Sequence, residues 1–165
     1  MTLRLGLAVA ALLFAADQAS KWWILHSLRL PEVRNVPLLE VGPFGLDLSM
    51  VWNRGVTFGL LSGAGPWNHL ILALLAASIA VFLLRWLAKA ETRTVAVALG
   101  AVIGGAVGNV VDRLRFGAVV DFVDAYAWGW HWYVFNIADA GIVCGVAVLI
   151  ADALFRRAPE AKQAP

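Results

Sequence analysis

The sequence is poor in charged residues and in residues that could crosslink the chain. Asp, Glu, Lys and Arg make up only 15% of its 165 residues, and its single cysteine, Cys144, has no partner for an internal disulfide bond. These deficits exclude an intrinsically disordered chain and a disulfide scaffold. The net charge is only +2 and no basic run is longer than Arg156-Arg157, so we expect no nucleic-acid partner.

Apolar residues are what the chain has in excess. Hydrophobic residues make up 61% of it and the 15 glycines add about 9% more, and the mean hydropathy is +0.78. Soluble domains are roughly 45–50% apolar on the same count, so a membrane protein is indicated. Four stretches reach the ~20 apolar residues that cross a bilayer. They are residues 5–25, 66–84, 94–111 and 134–151.

These spans predict an all-α membrane protein with four transmembrane helices in a single integral membrane domain, residues 1–165. Arg4 and the apolar run after it also fit a signal peptide, but the apolar stretch continues through residues 21–25, so we expect the first span to be retained. Seven basic residues fall in about 23 loop residues on one side, against five in about 60 on the other. The positive-inside rule therefore places both termini in the cytoplasm.

The two outer loops, residues 26–65 and 112–133, differ in pattern. Between residues 36 and 61, short apolar and alternating pieces are separated by glycines, which predicts a small antiparallel sheet resting on the outer leaflet. The aromatic residues around His131 favour a short interfacial helix between the third and fourth spans.

Ionisable residues inside a span are costly, so each is a candidate functional residue. In the first span Asp17, Ser20 and Lys21 are spaced i, i+3 and i+4 and share one helix face. We expect an ion pair between Asp17 and Lys21, and we favour structural support over direct chemistry for this pair.

Two further polar groups lie near the outer ends of the third and fourth spans. Asn109, Asp112 and Arg113 share one face by the same spacing, and Asn136 and Asp139 are three residues apart. The connection between these spans returns to the same leaflet, so Asp121 and Asp139 can both reach the outer rim.

Two carboxyl groups at a water-accessible apolar rim can share a proton, so that one activates water while the other polarises a carbonyl. Paired aspartates also serve as metal ligands, proton relays or helix caps. One rival is therefore a Mg²⁺-dependent phosphotransferase, but the aspartates form no compact cluster on one helix. Another is a proton-coupled transporter, but the polar motifs all lie in the outer half. The three histidines are too dispersed to predict a metal site.

Five short motifs occur in the order and at the spacing of one known family. They are Asp17-Gln-Ala-Ser-Lys21, Asn53-Arg-Gly55-Val-Thr-Phe58, Gly108-Asn109-Val-Val-Asp112-Arg113, Val120-Asp121-Phe122 and Phe135-Asn136-Ile-Ala138-Asp139. Together they resemble the lipoprotein signal peptidases (signal peptidase II), and the resemblance extends from the first span to the fourth.

The resemblance implies an aspartic endopeptidase of the bacterial inner membrane, with its active site near the periplasmic face. Such an enzyme cleaves the signal peptide from diacylglyceryl-modified prolipoproteins on the amino side of the lipidated cysteine. Its partners would be this substrate and membrane lipid, and we expect a monomer without a cofactor or metal. The catalytic pair maps onto Asp121 and Asp139. Asp112 is the competing choice, but the neighbouring Arg113 suggests an ion-paired scaffold residue.

The same matching implies residues that line or support the pocket. Asn53, Gly55, Asn109, Arg113, Asn136 and Ala138 would do so, with Asp17 and Lys21 beneath them. The chemistry of some of these residues suggests roles. Asn136 can donate a hydrogen bond to a carboxylate, and Arg113 can bind Asp112 or a carbonyl. Gly55 permits a turn, and Ala138 leaves space for substrate.

Overall fold

The computed structural model describes residues 1–55 and 67–155, in which four helices are long and apolar enough to cross a membrane. Its elements in chain order are α1 (Thr2–Trp22), a π-helical turn (Trp23–Ser27), α2 (Leu30–Val33), β1 (Asn35–Val41), β2 (Phe44–Asn53), α3 (Asn68–Ala88), α4 (Arg93–Phe116), β3 (Val119–Ala127), β4 (Trp130–His131) and α5 (Ile137–Phe155). The four predicted membrane helices are therefore confirmed, as α1, α3, α4 and α5.

The observed helices differ from the predicted spans by a few residues at both ends. The helix α4 continues to Phe116, so Asp112 and Arg113 belong to it and not to the predicted loop. The helix α5 begins at Ile137, after the predicted start at residue 134. Three predicted features lie outside the described residues. They are the start of the second span at residue 66, the parts of the predicted sheet and of the second motif that fall within residues 56–61, and the basic residues after residue 155.

A four-stranded antiparallel sheet lies outside the helix bundle, in the order β1-β2-β3-β4. The expected sheet between the first two spans is present, but it also takes strands from the second outer loop, because β2 pairs with β3. The expected interfacial helix between the third and fourth spans is wrong, because β3 and β4 occupy that segment. Trp128 and Gly129, with φ of 51° and 74°, form the two-residue turn between these strands, as in type I′ hairpins.

The central helix of the bundle is α4, which packs against α1, α3 and α5. Its glycines permit very close approach: a Cβ on Gly100 would collide with the carbonyl oxygen of Gly6, and one on Gly104 with that of Ala10. Small residues at such crossings let helix backbones come together in a membrane, where no hydrophobic force drives helices into contact. The helices α3 and α5 both rest on α4 but have little contact with each other.

We predict that Gly104→Val destabilises the protein, because its side chain would meet the backbone of α1, which cannot move aside as a side chain can. Overpacking of this kind costs about 1–3 kcal/mol of unfolding free energy. The measurement is thermal unfolding in detergent. Ala147→Val is the control, since it places the same side chain at an exposed position on α5. Equal unfolding temperatures for the two variants would contradict the assigned packing.

Candidate active site

A buried cationic group lies between two carboxylates where α1 crosses α4. The ammonium nitrogen of Lys21 is 2.8 Å from an oxygen of Asp17 and 2.7 Å from one of Asp112, and all three residues are at most 2% exposed. The predicted pair between Asp17 and Lys21 is therefore present. Asp112 is ion-paired, but its partner is Lys21 and not the neighbouring Arg113 that the sequence suggested, because the close approach of α1 to α4 brings Lys21 to Asp112.

The two carboxylates of this cluster also bind backbone N–H groups of other elements. Asp112 accepts a hydrogen bond from the N–H of Val120 at 3.1 Å, and Asp17 accepts one from the N–H of Ala138 at 3.0 Å. The cluster thereby fixes the first residues of β3 and of α5 relative to α1 and α4. These are the residues that come immediately before Asp121 and Asp139 in the chain.

Asn109 connects the buried cluster to the carboxyl group of Asp139. Its side-chain nitrogen donates to Asp139 at 2.8 Å. Its side-chain oxygen accepts hydrogen bonds from Lys21 at 3.3 Å and from Asn136 at 3.2 Å. One amide on α4 therefore contacts the cation, the carboxylate on α5 and the residue that precedes that helix.

Asp139 is held at the start of α5 by a reciprocal cap with Asn136. The side-chain oxygen of Asn136 accepts from the N–H of Asp139 at 2.8 Å, and the carboxylate of Asp139 accepts from the N–H of Asn136 at 3.4 Å. This is the geometry of a capping box, which satisfies N–H groups that the first helical turn leaves free. The i, i+3 spacing seen in the sequence thus fixes the orientation of the carboxyl group.

Asp121 lies on β3 and accepts hydrogen bonds from two amides. The side-chain nitrogen of Asn136 donates to one carboxylate oxygen at 2.6 Å, and that of Asn53 donates to the other at 2.9 Å. Burial, with the nearby charge of Asp139, raises the pKa of Asp121 to about 7, although the two amides oppose the shift. Asn136 therefore contacts both carboxyl groups, Asp121 by its side chain and Asp139 by its backbone.

Arg113 binds carbonyl oxygens, the second of the two partners expected for it. Its guanidinium donates to the carbonyl of Gly55 at 3.2 Å and to that of Asn109 at 3.3 Å. The N–H of Gly55 in turn donates to the side chain of Asn53 at 3.1 Å. The chain after β2 is thereby tied to α4, and this tie positions Asn53 against Asp121.

Ala138 does not lie where the sequence interpretation placed it. It is fully buried, its carbonyl packs against Gly105, and a Cβ on Gly108 would touch its methyl group. Its small side chain therefore allows α5 to approach α4 and does not leave space for a substrate.

The sequence interpretation missed Gln18, which belongs to the buried cluster. Its amide nitrogen donates to both Asp17 and Asp112 at 3.1 Å. Gln18 lies within the first motif, between Asp17 and Lys21. That position was the one feature of the sequence that could have marked it as a candidate site residue. A helix-face argument did not single it out, because it is adjacent to Asp17 in the chain and does not share the i, i+3, i+4 spacing.

We predict that Asn53→Leu raises the pKa of Asp121 further, by about one pH unit, because it removes a donor to the charged carboxylate. The measurement is a ¹³C carboxyl NMR titration of protein labelled at aspartate, with the Asp121 signal assigned through Asp121→Asn. Asn35→Leu is the control, since Asn35 bonds to Ser49 in the middle of β2 and makes no hydrogen bond to Asp121. An unchanged or lower Asp121 midpoint in Asn53→Leu would contradict the assigned hydrogen bond.

Comparisons with known proteins agree over nearly the whole chain. A family model described as Signal peptidase (SPase) II matches residues 9–155. The lipoprotein signal peptidase of Methylobacterium sp. (strain 4-46) is 46% identical over 157 residues, which cover 93% of this chain and 91% of that protein. The one from Methylorubrum extorquens (strain PA1) is 44% identical over 158 residues, 96% and 90% of the two chains.

A solved structure of a bacterial membrane enzyme is also similar, with a TM-score of 0.78, 25% identity and coverage of 97% of this chain and 93% of that one. A second has a TM-score of 0.73 and 26% identity, covering 93% and 94%. With a matching family model and relatives above 40% identity, the chain belongs to the signal peptidase II family.

Proposed function

We propose that the protein is an aspartic endopeptidase that removes the signal peptide from diacylglyceryl-modified prolipoproteins, cutting on the amino side of the lipidated cysteine. Membership in the signal peptidase II family supports the peptidase activity and the class of substrate. The observation that carries the aspartic mechanism is that Asn136 bridges two carboxyl groups, those of the buried Asp121 and the half-buried Asp139.

In this mechanism the pair holds one proton at neutral pH. A pKa of about 7 for Asp121 favours that state, since two ionised carboxylates cannot comfortably lie together in an apolar site. The ionised member removes a proton from water, whose oxygen attacks the scissile carbonyl, while the protonated member donates to the carbonyl oxygen. Collapse of the tetrahedral intermediate breaks the C–N bond, and the amino group of the cysteine leaves with a proton from the pair.

Neighbouring amides hold the carboxyl groups in position. Asn53 and Asn136 donate to Asp121, and Asn109 donates to Asp139. Such fixed donors reduce the reorganisation needed during the reaction. We assign a positioning role to the buried cluster of Lys21, Asp17 and Asp112. Its members reach the candidate catalytic pair only through Asn109 and through the backbone of β3 and α5.

The site is proposed to lie near the periplasmic face of the bacterial inner membrane, with both termini cytoplasmic and the protein acting as a monomer. The distribution of basic residues supports this orientation. The candidate catalytic groups lie at one end of the bundle, beside the sheet. Asp139 is at the start of α5, and Asn109 and Asp112 are near the end of α4. Substrate would therefore be cleaved near the lipid headgroups.

We predict that Asp121→Asn and Asp139→Asn each lower the rate of prolipoprotein cleavage by about 10³-fold, because an amide cannot exchange the proton that acid–base catalysis needs. The assay uses purified protein in detergent and a diacylglyceryl prolipoprotein peptide. Asp124→Asn is the control: it lies on the same strand, but its carboxylate contacts Ser49 and His131. Thermal unfolding checks that all three variants are folded, and full activity of either pair variant would refute the aspartic mechanism.

A further prediction is that cleavage requires the lipid on the substrate cysteine. Its acyl chains would bring the peptide to the bilayer and to a site at headgroup depth, so an unlipidated peptide should show kcat/KM at least about a hundredfold lower. The control peptide has the same sequence with a carboxamidomethyl group on the cysteine. Equal turnover of both peptides would contradict the proposed substrate.

A further inference from the structure

The side chain of Asn109 has two possible orientations towards its neighbours. A carboxamide is nearly symmetric in shape, so a half-turn exchanges its acceptor oxygen for its donor nitrogen. In the observed orientation the nitrogen donates to Asp139 at 2.8 Å, and the oxygen accepts from Lys21 at 3.3 Å and from Asn136 at 3.2 Å. A half-turn would point the oxygen at Asp139 instead. The orientation of this amide therefore decides whether Asp139 meets a donor or an acceptor.

Lys21 is the neighbour that disfavours the second orientation. Its ammonium group has three N–H bonds and no lone pair, so it can only donate. It contacts a carboxylate oxygen of Asp17 at 2.8 Å, one of Asp112 at 2.7 Å and the amide oxygen of Asn109 at 3.3 Å, so three donors meet three acceptors. Lys21 is only 2% exposed. A turned Asn109 would set its NH₂ group against the ammonium group, and a buried charged donor would lose its third acceptor.

Asn136 holds the oxygen of Asn109 less firmly than Lys21 does. Its side-chain nitrogen has two N–H bonds but three acceptors around it. The closest is the carboxylate of Asp121 at 2.6 Å, and the oxygens of Asn109 and Val120 follow at 3.2 Å and 3.3 Å. With one N–H bond directed at Asp121, the other is shared between two oxygens. Asn109 therefore depends on Lys21 for a full donor.

Charged and titratable groups of several elements surround Asp139. They are Asp17 and Lys21 on α1, Asp112 and Arg113 on α4, Asp121 on β3, and Tyr133 before α5. On its other side Asp139 lines the gap between α3 and α5, to which α3 contributes the aliphatic Ala76 and Ile79. The bond from Asn109, at 2.8 Å, is shorter than the one from the N–H of Asn136, at 3.4 Å. The orientation of Asn109 therefore acts strongly on this carboxyl group.

We propose that Lys21 is a positioning residue that holds the oxygen of Asn109, keeps the amide nitrogen on Asp139, and thereby makes Asp139 the ionised member of the candidate catalytic pair. The inference rests on the proposed function, since it places the proton within that pair. A donor stabilises a carboxylate, whereas an acceptor in its place requires a protonated carboxyl group. Asp121 is 1% exposed and Asp139 is half-buried, so a single negative charge is also better solvated on Asp139. Asp139 is then the base, and Asp121 the acid.

The test is a double-mutant cycle between Lys21→Met and Asn109→Leu, followed by the pH dependence of prolipoprotein cleavage. The acidic limb of kcat/KM reports the first ionisation of the pair. We expect each single variant to move this limb to higher pH by about one unit, which is about tenfold lower kcat/KM at pH values below the limb. The double variant should move it no further than Asn109→Leu does. Additive shifts, or no shift in Lys21→Met, would overturn the inference.

Gln18→Met is the matched control, because it removes a different donor from the same cluster. In the described part of the chain Gln18 donates to Asp17, to Asp112 and to the carbonyl of Gly108, and not to Asn109. Its acidic limb should therefore coincide with that of wild type, whatever its maximal rate. A shift as large as that of Lys21→Met would overturn the inference, since any loosening of the cluster would then suffice.

A second variant keeps the test decisive if Lys21→Met does not fold, since that change leaves two buried carboxylates without their cation. Lys21→Met/Asp112→Asn then takes its place, with Asp112→Asn as its reference. It removes one charge of each sign, so the net charge of the cluster is unchanged. The same shift of the acidic limb is expected, and the same absence of any further shift when Asn109→Leu is added.

A ¹³C carboxyl NMR titration of Asp139, assigned through Asp139→Asn, follows the same cycle without substrate. Coupled shifts of its midpoint in a protein that cleaves no prolipoprotein would refute the proposed function but not the placement of the charge. Cleavage by the wild type together with uncoupled shifts would refute the inference alone. The two proposals therefore fail separately.

Discussion

The structure depends on neutralising one buried ammonium group within the helix bundle. Lys21 contacts Asp17 on its own helix and Asp112 on α4, and none of the three is more than 2% exposed. Removing one partner of such a buried pair typically costs about 3–5 kcal/mol, since it leaves an uncompensated charge. The remaining carboxylate oxygens accept from the N–H groups of Val120 and Ala138, so the same interaction fixes where β3 and α5 begin. The positions of Asp121 and Asp139 follow from it.

The four aspartates around the site therefore have two different environments. Asp17 and Asp112 are compensated by direct contact with a cation, whereas the hydrogen bonds to Asp121 and Asp139 come from amides alone. An amide donor orients a carboxyl group without neutralising it, so burial and mutual repulsion still act, and they raise the pKa of Asp121 to about 7. A fold can therefore hold some carboxyl groups beside a cation, as a scaffold, and others beside amides alone, where they can serve as an acid–base pair.

Sequence reasoning succeeded where the relevant contact is local or the apolar run is long. The four spans, the i, i+4 pair of Asp17 with Lys21, and the i, i+3 relation of Asn136 to Asp139 all follow from helical periodicity. It failed where tertiary packing chooses the partner. Asp112 binds Lys21 because Gly104 and its neighbours let α1 come close to α4, which no spacing along α4 could indicate. The aromatic segment near His131 forms the strand β4 because it pairs with β3, and β3 is held in the sheet by β2, a contact distant in sequence.

The distribution of glycine explains why the bundle is closed on one side and open on the other. Glycines bring α4 into backbone contact with its neighbours, because Gly100 meets the backbone of α1 and Gly105 that of α5. Gly141 of α5 packs against the side chain of Leu13 on α1. The helix α3 contains no glycine, and it packs on α4 through larger side chains such as Leu83 and Leu87. Its contact with α5 is correspondingly slight, and the gap ends at Asp139. The three helices α1, α4 and α5 therefore form the tightly packed side of the bundle, and the side between α3 and α5 is more loosely packed.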